Sequence, residues 1–322
     1  MLSRNNNDLL ADKSKKTARS ADSIQRIEER TKKCRKKIIL IEGDTSQMNL
    51  GLSEKYRARI KDTDLIFHSA ASVRFMDNIR LIVNTNIRGT RDLLLLAQEM
   101  ESLRAFVYVS TAYSYCVYKI LKEDQLDLIT PKLLGNWPNT YAYSKAICKD
   151  TVRQYSNGIP ACIVRPSIVV ATGKELIAGW ISNLYGIIGI AVESATGVLH
   201  TLYCNENFIC NIIPVDYVVK NIIAAAWYVA QKQLLKIYRN IEKFKYVMNY
   251  FTFTEWEFTN VTNDNVLKLW DKLSVVDKHK FFFNVSDIDW ECFSNTYIKG
   301  VRVYLLKDPM ETVDESRPFY RR

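Results

Sequence analysis

Glycine is scarce where a nucleotide-binding chain would be expected to have it: of 11 glycines, none precedes Gly43. A phosphate-cradling G-x-x-G-x-x-G turn is therefore missing ahead of that position. Histidine is scarcer still. His68, His200 and His279 have no companions at metal-ligand spacing, so no metal site is expected. The seven cysteines (Cys34, Cys116, Cys148, Cys162, Cys204, Cys210, Cys292) are odd in number and include no C-x-x-C pair. That argues against a disulfide framework or a zinc ribbon and suits a reducing compartment. The chain has no N-terminal apolar run of the signal-peptide kind and no unbroken apolar run of about 18 residues, the length of a membrane span.

What is present describes a globular protein. The 322 residues are 48% hydrophobic and 25% charged, enough for one large domain or two ordinary ones around a real core. The net charge of +10 is unevenly placed, because residues 1–37 hold twelve Lys or Arg against five Asp or Glu. That segment lacks the interleaved aromatics of a nucleic-acid surface, so it reads as a solvated end and no nucleic-acid partner is expected. Residues 1–22 have no period and are expected to be disordered; Ser23 to Arg35 can form a charged helix.

Further along, short β-branched runs alternate with helical patterns. Strands are expected at Lys37–Ile41, Asp64–Ala71, Ala105–Ser110 and Ala161–Arg165. A helix is expected from Ile79 to Met100, interrupted near Asn86–Thr90; another opens at Tyr141, and a third, from Tyr217 to Trp227, should pack on the sheet. This order predicts an α/β fold with a parallel sheet covered on both faces. Ligands then bind beyond the C-terminal strand ends. There stand Asp44 and Thr45, where a carboxylate can accept from an adenine amino group, and Ala70 and Ala71, small enough for a cofactor to lie against the backbone. Ser110 and Thr111 offer hydroxyls to a substrate carbonyl, and the backbone of Pro166 and Ser167 can meet a nicotinamide amide. Each alone also reads as ordinary turn chemistry.

The fifth member of the set is Tyr141 with Lys145, four residues apart after the helix-start signal Pro138-Asn139-Thr140. The spacing puts phenol and ammonium on one helix face. Tyr-x-x-x-Lys also arises by chance in many helices. Here the cation is expected to lower the phenol's pKa from its usual value of about 10, making it a usable proton donor to a carbonyl. His68 is expected to be packed in its strand rather than catalytic. Phe281–Phe283 and Tyr250–Phe253 read as core of the C-terminal part, with lining of an acyl channel as the second reading.

The chain resembles the extended short-chain dehydrogenase/reductases with a Rossmann-type sheet, and within them the alcohol-forming fatty acyl-CoA reductases, especially those of insects. The resemblance is carried by Ile41-Glu-Gly-Asp44, His68-Ser-Ala-Ala-Ser-Val-Arg-Phe75, Asn86-Ile-Arg-Gly-Thr90, Val109-Ser-Thr-Ala-Tyr-Ser114 and Tyr141-Ala-Tyr-Ser-Lys145. It continues through Val164-Arg-Pro-Ser-Ile-Val169, Gly179-Trp180 and Ile213-Pro-Val-Asp216. Trp256-Glu-Phe258, Asn263-Asp-Asn265, Asp287-Ile-Asp-Trp290 and Ile298 to Lys307 resemble that family's separate, mostly helical C-terminal domain. The resemblance implies NADPH-dependent reduction of a long-chain acyl-CoA to a fatty alcohol by way of the aldehyde. In that reading Tyr141 donates the proton, Lys145 binds the nicotinamide ribose, Thr111 or Ser110 holds the substrate carbonyl, and Asn86 holds a relay water. It also implies peripheral membrane contact, at the endoplasmic reticulum or peroxisome.

The departures from the family are equally specific. The first strand, its Gly-rich turn and the start of the second strand, which carries the 2′-phosphate reader, have no counterpart. A second gap follows Ala224-Ala-Ala-Trp227. A truncated gene model or splice variant accounts for both gaps more simply than a new function. The expected layout is a basic segment 1–36, a truncated Rossmann-type reductase domain 37–235, a C-terminal domain 236–310 and a tail 311–322. Without its central strand the sheet should be loosened and pyrophosphate binding weakened. The alternative function is an inactive relative that keeps the fold as a binding or regulatory module.

Overall fold

The computed structural model describes residues 37–74, 77–114, 139–184, 186–195, 198–201, 211–238 and 263–312. Its centre is a parallel sheet of β1 (Leu65–His68), β2 (Ala105–Val109) and β3 (Ala161–Val164), in the spatial order β1-β2-β3. A second parallel pair is made by β4 (Ile168–Val170) and β5 (Ile212–Pro214). The helices are α1 (Glu54–Arg59), α2 (Ile79–Ile82), α3 (Gly89–Gln98), α4 (Thr140–Tyr155), α5 (Ile187–Ala195), α6 (Val215–Tyr238), α7 (Asp264–Asp271), α8 (Val275–Lys280) and α9 (Trp290–Gly300). This is a Rossmann-type α/β architecture followed by helices, as expected from the strand–helix alternation.

β2 shows why the fold closes. Side chains alternate across a strand, and every residue from Ala105 to Tyr108 is buried. Phe106 and Tyr108 point into a core with Leu94 of α3 and Tyr143, Ile147 and Val152 of α4. Ala105 and Val107 point the other way, where Ala226 of α6 packs with Cys162 and Val164 of β3. The expected helix from Tyr217 to Trp227 thus covers the sheet, and it is longer at both ends. The interruption expected near Asn86 is a π-helical turn, Val83–Arg88, joining α2 to α3. His68 is packed, at 3% exposure between the rings of Phe106 and Tyr108.

One expected strand does not form. Lys37–Ile41 is irregular, and Ile38, Ile39 and Leu40 are 62%, 60% and 88% exposed. A strand needs a neighbour for its backbone donors and acceptors, and among the described residues no strand lies beside this run. The same shortage shows on β1, an edge strand whose Leu65 and Phe67 are exposed. The three-stranded ladder itself keeps its register from Leu65↔Ala105 to Val109↔Val164.

The C-terminal helices pack onto the reductase elements. Leu269, Leu273 and Phe283 form a core with Ala224 of α6, so Phe283 is core as read from sequence, while Phe281 is half-buried against that core and half-buried Phe282 meets the ring of Tyr217. Phe293, Tyr297 and Val301 join Val170 and Ala171 at the end of β4 and Ile188 and Val192 of α5. Gly179 (φ +76°) and Gly300 touch backbone to backbone: a Cβ on Gly300 would fall inside the Gly179 carbonyl, and one on Gly179 inside that of Thr296. Ser23–Arg35 and Tyr250–Phe253 lie outside the described residues.

Candidate active site

α4 begins where the sequence signal put it. Asn139 is its N-cap, and the side-chain oxygen accepts from the Ala142 N–H at 2.8 Å. Thr140 ties the same end to the chain after β1 by donating to the Asp77 carbonyl at 3.1 Å. Tyr141 therefore stands in the first turn and Lys145 one turn on. Lys145 is buried; its ammonium donates to the carbonyl of Val109 at 2.9 Å and lies 4.9 Å from the centre of the Tyr108 ring. Val109 ends β2, and Ser110 and Thr111 follow it directly. Tertiary packing thus seats the Tyr-x-x-x-Lys helix on the strand end that bears the two hydroxyls.

The hydroxyl-bearing turn is tightly held. The Ser110 N–H donates to Val164 O at 2.8 Å, and the Ala112 N–H donates to Pro166 O at 2.9 Å, so the parallel pairing runs on past the strands. The Thr111 hydroxyl accepts from the Tyr113 N–H at 3.3 Å, which occupies a lone pair and leaves its hydrogen to donate. Ser110 shares a 3.3 Å contact with the Ser114 hydroxyl. Both Ser110 and Thr111 are buried.

The electrostatics differ from the expectation of an acidified phenol. Burial first, and the nearby Cys148 thiol second, push Tyr141 up to about 12. Burial also lowers Lys145, against a weaker opposing effect of Cys148. The lysine does not depress the tyrosine here because desolvation favours the neutral form of both groups. Its ammonium is turned to the Val109 carbonyl and the Tyr108 ring. The phenol is accordingly a protonated donor at neutral pH.

The Asn86 side chain is bonded at both ends. Its oxygen accepts from the Ser72 N–H at 2.8 Å. Its amide donates to Ser72 O at 3.2 Å and to the Ser144 hydroxyl at 2.9 Å. The Asn86 carbonyl accepts from Thr90 and from the Cys148 thiol. A side chain with partners on both ends is a strut, joining the loop after β1 to α4. Ser144, which in turn donates to the Tyr141 carbonyl at 2.8 Å, was not singled out from sequence. Its place one position before Lys145 was the only available signal.

On the cofactor side, Ala70 is exposed and Ala71 half-buried beyond β1. Asp44 is exposed, and its carboxylate accepts from the Ser46 N–H at 2.8 Å and hydroxyl at 2.7 Å, which hold its pKa below the ordinary value. Thr45 packs against Gly89, where a Cβ would come within 2.7 Å of the Thr45 carbonyl. Of the pair after β3, the Pro166 carbonyl is taken by Ala112, while Ser167 is half-buried. The small side chains of Ala70 and Ala71 beyond β1 fit a nucleotide cofactor, as does the exposed carboxylate of Asp44, which stands in a turn because the strand expected ahead of it does not form. Among the described residues no cluster of His, Cys, Asp and Glu could hold a metal ion.

Two family models match the chain, both described as male sterility protein: an NAD-binding one over residues 2–222 and a second, named Sterile, over residues 217–308. The chain belongs to this family, the fatty acyl-CoA reductases. Fatty acyl-CoA reductase 1 of Rattus norvegicus is 30% identical, covering 92% of this chain and 77% of that protein. Fatty acyl-CoA reductase wat of Drosophila melanogaster is 28% identical, covering 90% and 75%. Among solved structures, the terminal R domain from the myxalamid PKS-NRPS pathway is 25% identical at a TM-score of 0.45, covering 58% of this chain and 46% of that one. Membership makes this fatty acyl-CoA reductase family protein an oxidoreductase of the nicotinamide-dependent kind.

Proposed function

We propose that the protein reduces long-chain acyl-CoA to fatty alcohol with NADPH, through the aldehyde. The observation that carries this reading is the 2.9 Å bond from buried Lys145 to Val109 O, which docks Tyr141's helix beside Ser110 and Thr111. The cofactor, when bound, supplies hydride to the carbonyl carbon. Asp44 and Thr45 would hold its adenine end, Ala70 and Ala71 its middle, and Lys145 with Pro166 and Ser167 its nicotinamide end.

As the carbonyl oxygen gains charge, Thr111 donates its free hydroxyl hydrogen to it and Tyr141 transfers its proton. The thioester carbon thereby becomes a hemithioacetal, which expels the CoA thiol and leaves the aldehyde. A second NADPH, bound after the oxidised cofactor leaves, would supply the hydride to the aldehyde carbon while Tyr141 again protonates the oxygen, giving the alcohol. After each step a proton from solvent restores the phenol of Tyr141.

The test is NADPH consumption with a long-chain acyl-CoA, with the alcohol identified by mass spectrometry. Activity that survives Tyr141→Phe would end the proposal. Failure to bind millimolar NADPH by fluorescence would favour the binding-module alternative. Peripheral membrane contact belongs to the same proposal, supported by exposed Leu176, Trp180 and Leu184. No helix among the described residues is long and apolar enough to cross a membrane. Co-sedimentation with phospholipid vesicles tests the contact, and protein left wholly in the supernatant would refute it.

A further inference from the structure

Resting on the reading just given, we infer that Arg165 is a positioning residue for the hydroxyl-bearing turn, Ser110 to Ser114. It stands one residue past β3 and reaches back over the turn. Its Nε donates to the Thr111 carbonyl at 3.1 Å, and Nη2 donates to the carbonyls of Ala112 at 2.8 Å and Ser114 at 3.3 Å. Three carbonyls aimed at one place repel one another unless a cation lies between them, and here the guanidinium does.

The backbone completes the clamp. The residues on either side of Arg165 accept the turn's own N–H groups, Val164 from Ser110 and Pro166 from Ala112. The turn is therefore gripped by main chain along one edge and by the Arg165 side chain along its carbonyls. Within that grip the Thr111 carbonyl accepts from the Ser114 hydroxyl at 2.9 Å as well as from Arg165. With these bonds the direction of the Thr111 hydroxyl is set before substrate arrives.

Shape matters more than charge in this arrangement. A guanidinium presents Nε and Nη2 donors along one planar edge, matching carbonyls spread over four residues of turn. A lysine ammonium is a compact point at the end of a flexible stem and cannot span them. Arg165→Lys should keep the charge and lose the clamp. The sequence does not reveal this role, because Val-Arg-Pro-Ser reads as a strand end and the acceptors lie some fifty positions earlier.

The experiment compares full-length wild type with Arg165→Lys and Arg165→Gln. Hydrogen exchange needs no turnover. In both variants the amides of residues 110–114 should exchange at least about tenfold faster, while those of β2 stay protected. Unchanged exchange in the turn would overturn the inference. In steady-state assays with acyl-CoA, kcat should fall roughly 10- to 100-fold with NADPH affinity retained. The isotope effect with 4-deuterated NADPH should rise toward its intrinsic value as the hydride step becomes limiting. A smaller folded fraction would lower the rate and leave the isotope effect alone, so that pattern counts against positioning, as does a kcat within about twofold of wild type. A wild type with no turnover would sink the reductase reading instead, and the exchange result alone would then decide whether Arg165 holds the turn.

Discussion

The side-chain amide of Asn86 donates to the hydroxyl of Ser144 at 2.9 Å, and both residues are wholly buried between the π-helical turn and α4. The same side chain brackets the backbone of Ser72 from both sides. This contact, 58 positions apart in the chain, fixes where the loop after β1 sits relative to Tyr141 and Lys145.

Asn86→Ala should therefore be costly. It strands the Ser72 N–H, and each buried group left unpaired costs about 1–3 kcal/mol. Urea denaturation should show a midpoint well below wild type. Ser144→Ala removes only one bond of the strut and should cost less. A ranking in which Ser144→Ala is the worse of the two would contradict this account.

His68 makes stability depend on acid. Burial first, and the Lys145 charge second, hold it down at about 4. Its Nε2 is 2.8 Å from the Thr90 hydroxyl. The unfolded chain takes up a proton near pH 6.5 and the folded one only near pH 4, so stability is intact above 6.5 and is lost as pH falls through that window. The full effect is on the order of 3 kcal/mol. His68→Gln should flatten the midpoint-versus-pH curve between pH 6.5 and 4; an unchanged slope would contradict the assignment.

Gly179 and Gly300 hold the C-terminal helix against the loop after β4. Alanine at position 300 forces apart two backbones that now touch. Overpacking of this kind costs about 1–3 kcal/mol. Thermal unfolding of Gly300→Ala should begin in α9 and α5, which share a core, and limited proteolysis should cut there first.

Leu94 supplies the simplest packing test. It is completely buried against Phe106 and α4, and Leu94→Ala should cost about 2–5 kcal/mol. Phe67→Ser on the exposed face of edge strand β1 should cost under about 1 kcal/mol, because that side chain is 45% exposed. Equal costs for the two would mean that the edge is covered in solution.

The sequence by itself determined every feature set by near neighbours along the chain. Asn139 capping, Tyr141 and Lys145 one turn apart, the β-branched runs at β1, β2 and β3, and the break near Asn86 all depend on local propensity and short-range bonds. Only the tertiary structure decided the rest. Lys37–Ile41 has the composition of a strand but no partner among the described residues, and a strand without a partner is not a strand. Tyr141 has the lysine expected to acidify it, yet burial raises its pKa instead, since desolvation is a property of the packed interior. Asn86 and Arg165 draw their roles from groups 14 to 58 positions away, and no local pattern in the sequence encodes which distant carbonyl or hydroxyl a side chain will meet.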